Sequence, residues 1–188
     1  MTRPPKATSV NEDGQPDGYV PPAGWSAEVI PGGYTRIVVS LPSPLLESVH
    51  RALMNCLTTP RRVLYVQLVD RQRGLQLDPP VQFVGLELPP EVIEQAFDAH
   101  RALIYHDGRH QLWVQGRGDD KIVMEETGVL YVYPDDPMFR ETLVAQGIPE
   151  LKVQSMSERD YVRVDYLADA DAEQESLQRA LGLVRYGD

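Results

Sequence analysis

Leu64-Tyr65-Val66-Gln67 returns as Leu112-Trp113-Val114-Gln115 and, more loosely, as Leu151-Lys152-Val153-Gln154. Each phrase alternates with the two-residue period of a strand, placing Leu and Val on one face and Tyr, Trp or Lys with Gln on the other. Two further echoes precede it: His50-Arg51-Ala52-Leu53 with His100-Arg101-Ala102-Leu103, and Leu41-Pro42 with Leu88-Pro89. The echoes keep their order at offsets of 47, 50 and 48 residues. Self-similarity at such a period predicts a repeated strand–helix–strand unit.

Working outward, Tyr34 to Leu41 is a β-branched run that reads as a strand. Ser43-Pro44 then opens a helix, as a cap followed by proline in the first turn. Leu45, Val49, Ala52, Leu53, Cys56 and Leu57 form its apolar stripe, which must end before Pro60. Val63 to Asp70 and Val81 to Leu88 read as strands, with Arg71 to Pro80 as a connection. A second helix is predicted from Pro90 to Tyr105, then strands at Gln111 to Gly116, Lys121 to Glu125 and Val129 to Tyr133. Asp136-Pro137 starts a third helix that Gly147 stops. Glu150 to Gln154 and Tyr161 to Leu167 read as strands, and Leu177, Ala180, Leu181 and Val184 as the inner side of a last helix.

Strands outnumber helices and short turns join many of them. The fold class expected is therefore α+β: a two-layer, mixed or mostly antiparallel sheet with helices on one face, built from repeated strand–helix–strand units. The repeats fall at about 35–70, 82–116 and, more weakly, 129–154, within a single domain 25–188 that closes on a strand–helix at 161–185. Residues 1–24, rich in Pro, Gly, Asn and Asp, are expected as a flexible arm.

The 188 residues suffice to bury a core without disulfides, and the single Cys56 reads as a small hydrophobe. No signal peptide or apolar span is visible, so a cytoplasmic location is expected. Net charge is −10, of which residues 122–188 supply −8. Such a surface disfavours nucleic acid and membranes and points to a protein partner of basic character.

Three histidines, His100, His106 and His110, lie within eleven residues beside Asp107. Imidazoles converging from a helix end and a turn could bind a divalent metal, although the spacing is neither HExxH nor another standard set. Asp119, Asp120, Glu125, Glu126, Asp135 and Asp136 sit where turns and helix starts favour carboxylates. Arg61, Arg62, Arg71 and Arg73 flank Tyr65 as solvated strand ends. Arg117-Gly118-Asp119 reads as turn chemistry. The nucleotide-binding glycine patterns and G-x-S-x-G are missing, and no cofactor is expected.

The functional expectation is a non-catalytic interaction module of the adaptor, chaperone-like or inhibitor and immunity type. Its binding residues would be Tyr65 and Trp113 on an exposed sheet face, or Asp165, Asp169, Asp171, Glu173 and Glu175 on an acidic C-terminal surface. The alternatives are a metal-dependent hydrolytic enzyme using His100, His106 and His110, and a self-assembling structural subunit. Exposed side by side, Tyr65 and Trp113 would offer a binding face; buried under helices, they would only fill a core.

Overall fold

Eight strands pair in the order β10-β5-β4-β6-β7-β8-β3-β2, every neighbouring pair antiparallel, in a computed structural model that describes residues 4–163 and 170–187. The strands are β2 (Gly24–Val29), β3 (Thr35–Ser40), β4 (Arg62–Asp70), β5 (Leu75–Val84), β6 (His110–Gln115), β7 (Lys121–Met124), β8 (Leu130–Tyr133) and β10 (Val184–Arg185). β1 (Ala7–Ser9) and β9 (Tyr161–Arg163) form a separate two-stranded ribbon.

All five described helices pack on one side of the sheet: α1 (Ser43–Met54), α2 (Pro90–Ala99), α3 (Arg101–His106), α4 (Pro137–Ala145) and α5 (Ala170–Ala180). Leu46, Val49 and Leu53 of α1 join Ile93 and Phe97 of α2, Leu103 and Ile104 of α3, Phe139 and Leu143 of α4, and Leu177 of α5. They meet Ile37, Val39, Val63, Tyr65, Leu112, Val114, Ile122, Met124, Leu130 and Val132 from the strands. Each large aliphatic or aromatic side chain so buried stabilises the fold by roughly 1.5–3 kcal/mol relative to exposure. The two-layer α+β reading is therefore correct.

Local chemistry places the elements. Asp136 caps α4, its carboxylate accepting from Met138 N at 2.8 Å. α1 begins one residue earlier than the sequence predicts, with Pro42 at the cap position. The single helix predicted from Pro90 to Tyr105 breaks at His100, whose φ of −122° and ψ of 32° leave the helical region. There the backbone N–H and the ring Nδ1 of His100 both donate to the Ala96 carbonyl, at 3.1 and 2.7 Å, closing the end of α2. β2 is a strand the sequence reading does not contain, and β5 includes Pro79 and Pro80, read there as a connection.

The repeated phrase does not keep one orientation. Tyr65 pairs across strands with Leu112, and Leu64 with Trp113, so the two copies present opposite side chains to the helices. Leu151 to Gln154 carries no regular secondary structure; Glu150 alone makes a bridge, to Trp25. The N-terminal segment expected as an arm carries β1, with Lys6 and Ala7 each about 1% exposed.

Candidate functional site

Two features stand out: a charged network buried at one end of the helix layer, and a sheet face with none of the five described α-helices on it.

The network centres on Asp107, which follows α3 and is fully buried. Its carboxylate accepts from Arg109 N at 2.8 Å, from Arg109 Nη2 at 2.7 Å and from Arg71 Nη1 at 2.8 Å. Arg71 also donates to the Tyr65 hydroxyl at 2.8 Å and to Gln174 Oε1 of α5, and Gln174 Nε2 donates to Gln67 at 3.1 Å. Burial alone would raise the Asp107 carboxyl pKa. The Arg109 hydrogen bonds, with neighbouring His110 and the charge of Arg71, instead hold it well below the usual carboxylate range. Arg71, in the turn after β4, thus ties Asp107 after α3 to Gln174 of α5 and Tyr65 of β4.

Lys6 enters from the N-terminal side. Its amine donates to the Ile104 carbonyl at 3.0 Å and lies 3.4 Å from His110 Nε2. Desolvation pushes it down to about 7, against the pull of Asp107 and Glu126. His110 stacks on Tyr65, ring centres 4.7 Å apart, and burial drives its pKa well below the ordinary imidazole value. His50, 3.1 Å from the Tyr105 hydroxyl, is pushed down to about 3 by burial, then by Arg51 and Lys6.

The three candidate metal histidines turn to separate partners. His100 holds Ala96, half-buried His106 donates from Nδ1 to the Pro4 carbonyl at 2.6 Å, and His110 faces Lys6 and Tyr65. Among the described residues no group of three or more His, Cys, Asp and Glu side chains is placed to hold a metal ion.

The acidic residues also take local roles. Asp120 accepts from Thr58 N at 2.6 Å and Thr58 Oγ1 at 2.8 Å, Asp135 pairs with Arg140, and Glu126 accepts from Gln111 and Tyr161. Glu173 accepts from Leu103 N, and exposed Glu175 lies 3.9 Å from Arg179. Asp165 and Asp169 lie outside the described residues, and Asp171 falls in the first turn of α5.

The other sheet face follows from the register. Val184 pairs with Val84, Val84 with Leu64, Leu64 with Trp113, Trp113 with Val123, Val123 with Tyr131, Tyr131 with Val38, and Val38 with Ser26. A single row, apolar but for Ser26, crosses all eight strands on the face away from the helices. Alongside it run Arg62, Gln115, Lys121, Tyr133, Arg36 and Glu28, the first four and the last two joined by cross-strand pairs. Arg36 lies 3.8 Å over the Tyr131 ring, donates to the Tyr133 hydroxyl at 2.9 Å and pairs with Glu28. Lys121 sits 4.8 Å from the Tyr133 ring and 5.8 Å from Trp113. Such cation–aromatic contacts hold rings and charges in fixed relation.

Trp113 therefore lies where a binding residue could act. Tyr65 does not: it is wholly buried on the helix side, because its register partner is Leu112. The fold and its two faces define a two-layer α+β protein with one helix-covered sheet surface and one that carries none of the described α-helices, on which Trp113 and Tyr131 are partly buried and Val66 and Val123 are 6% exposed. Compared with protein-family models, with curated proteins and with solved structures, the chain finds no match.

Proposed function

We propose that the chain is a protein-interaction module whose binding surface is the face of the eight-stranded sheet that carries none of the described α-helices. The observation that carries this reading is the cross-strand row from Val184 to Ser26, with Trp113 and Tyr131 at its centre and Arg36 and Lys121 beside it. Trp, Tyr and Arg are the residue types that dominate binding energy in protein interfaces, where rigid rings bury large areas at little entropic cost. The charged groups of the buried network support the same reading. Asp107, Arg71, Arg109 and Tyr65 bond to one another and hold α3, α5 and β4 in place, as a rigid scaffold behind a binding face requires.

The test is photo-crosslinking in cells that make the protein. A benzophenone amino acid at Tyr133 or Gln115, on the face without the described α-helices, should yield a discrete crosslinked polypeptide. The same probe at Val144, 63% exposed on α4, should not. Identical patterns from both sides, or no crosslink from the sheet face, would refute the reading.

A further inference from the structure

We infer that a cavity between the β4–β5 hairpin and α5 binds a small neutral molecule built on a planar ring with an amide edge, one N–H beside one C=O. The cavity lies on the helix side, because its residues Val81 and Phe83 pair with Gln67 and the buried Tyr65. It is therefore separate from the sheet face of the interaction reading.

The cavity holds 490 Å³, a size that small-ligand sites commonly have. Leu77, Val81 and Phe83 of β5, all half-buried, form an apolar wall. The Phe83 ring meets Tyr65 edge-on, ring centres 6.3 Å apart at 65°, and this contact holds it in one orientation.

The polar groups decide the ligand. Gln174 Oε1 accepts from Arg71 Nε and from the Tyr65 hydroxyl, the latter at 3.1 Å, which identifies the carbonyl end of that amide and occupies both its lone pairs. Gln174 Nε2 then donates to Gln67 Oε1 at 3.1 Å, and Gln67 Nε2 to the Val69 carbonyl at 2.8 Å. Among the bonds of the described residues, Gln67 thus keeps one N–H and one carbonyl lone pair, and Gln174 one N–H. Both amides line the cavity, and Gln174 is only 7% exposed. A lactam or a carboxamide supplies the matching pair: an N–H for the Gln67 carbonyl and a C=O for an amide N–H.

Charge on the walls is engaged elsewhere. Asp70 accepts from Gln72 N and Arg73 N, Glu175 lies 3.9 Å from Arg179, and Arg71 pairs with Asp107. Of the four charged residues on the walls, Arg185 alone is left to meet a charged ligand, so the open amides and the Phe83 wall set recognition.

NMR titrations of the full chain with uracil and with nicotinamide test the inference. Each is paired with a methylated form, 1,3-dimethyluracil or N,N-dimethylnicotinamide, which keeps the ring and the carbonyl and lacks the N–H. At least one parent compound should bind and shift the amide signals of Gln67, Val81 and Phe83. Its methylated form should bind at least about tenfold more weakly, the cost of leaving a buried polar group unpaired. Tighter binding of uracil marks a base-type lactam as the occupant, and tighter binding of nicotinamide an aromatic carboxamide. Gln67→Leu should abolish binding. Leu77→Trp, which fills the cavity and leaves the amides in place, should do the same and serves should the first variant fold poorly.

No detectable binding of either parent compound, equal binding of parent and methylated forms, shifts confined to other regions, or binding unchanged by Leu77→Trp would each overturn the inference. Crosslinking from Tyr133 reads the opposite side of the sheet, so either result can fail without the other.

Discussion

Replacing Asp107 by Asn keeps the shape of the side chain and removes its charge. The carboxylate accepts hydrogen bonds from Arg109 and Arg71 and is fully buried, while both guanidinium groups are more than nine-tenths buried. Breaking a buried ion pair by neutralising one partner typically costs about 3–5 kcal/mol, because the remaining charges have lost their compensation. For a chain of this size each kcal/mol moves the melting temperature by about 2–4 °C, so Asp107→Asn should melt about 6–20 °C lower. Urea unfolding at pH 7 measures the free energy and a thermal scan the temperature.

The same carboxyl sets an acid dependence. Its folded pKa lies below the unfolded value, so its contribution is complete above about pH 4 and is lost as pH falls below that. The Asn variant should therefore lose less stability than the wild type on acidification. A triple variant, Arg71→Met, Asp107→Leu and Arg109→Met, should recover much of the loss, since apolar groups of similar volume often replace a buried ionic set without penalty. An Asp107→Asn change below about 1 kcal/mol would refute the scaffold role of the network, being the value of a surface pair.

Lys6→Met removes a buried amine whose folded pKa, about 7, lies below the unfolded value near 10.5. The unfolded chain binds the extra proton between those values, so wild-type stability should rise from pH 7 to 10 by up to about 1.4 kcal/mol per unit, and the variant should lack that slope; parallel urea titrations with no difference in slope would contradict it. Glu125, pushed up to about 7 by burial and then by Glu126, acts in the opposite sense: its carboxylate opposes folding above the unfolded value and most fully above pH 7. Glu125→Gln should be more stable than wild type at pH 8 and little changed at pH 4, read by thermal melts at both. Gly116→Ala would drive a methyl into Asp120 and Thr58, breaking the bonds that join the β6–β7 turn to the turn after α1. It should cost about 1–3 kcal/mol, as overpacking does, in chemical denaturation.

The fold was legible where side-chain period and backbone chemistry agree. Thr35 to Ser40 is β-branched and alternating, and Asp136-Pro137 announces a helix. β2 was not, because Gly24-Trp25-Ser26-Ala27-Glu28-Val29 has weak strand character and owes its place to pairing with β3. Pro79 and Pro80 argued for a loop, yet β5 tolerates them in the stretch between Gln76 and Val81 where its pairing with β4 is interrupted. The break at His100 has no signal in the apolar period, which runs through it.

The site was legible only in part. The crowding of His106, Asp107 and His110 marked the right region but suggested metal chemistry, because the partners that define it, Lys6, Tyr65, Arg71 and Gln174, lie far apart in the chain. The one local signal was Asp107-x-Arg109, a spacing that lets the carboxylate take Arg109 N and its guanidinium together. Lys6, a lone lysine in a polar segment, gave none. The cross-strand row exists only once register is known, since its members come from eight separate strands.

Hydroxyl-radical footprinting, performed in living cells and on the purified protein, bears most directly on the sheet face without the described α-helices as the working surface. Trp113, Tyr131 and Tyr133 should be modified several-fold less in cells, while Tyr34, 72% exposed at the β2–β3 hairpin, should be modified equally in both. Equal modification of Trp113, Tyr131 and Tyr133 in the two settings would mean that nothing occupies the face where the protein works.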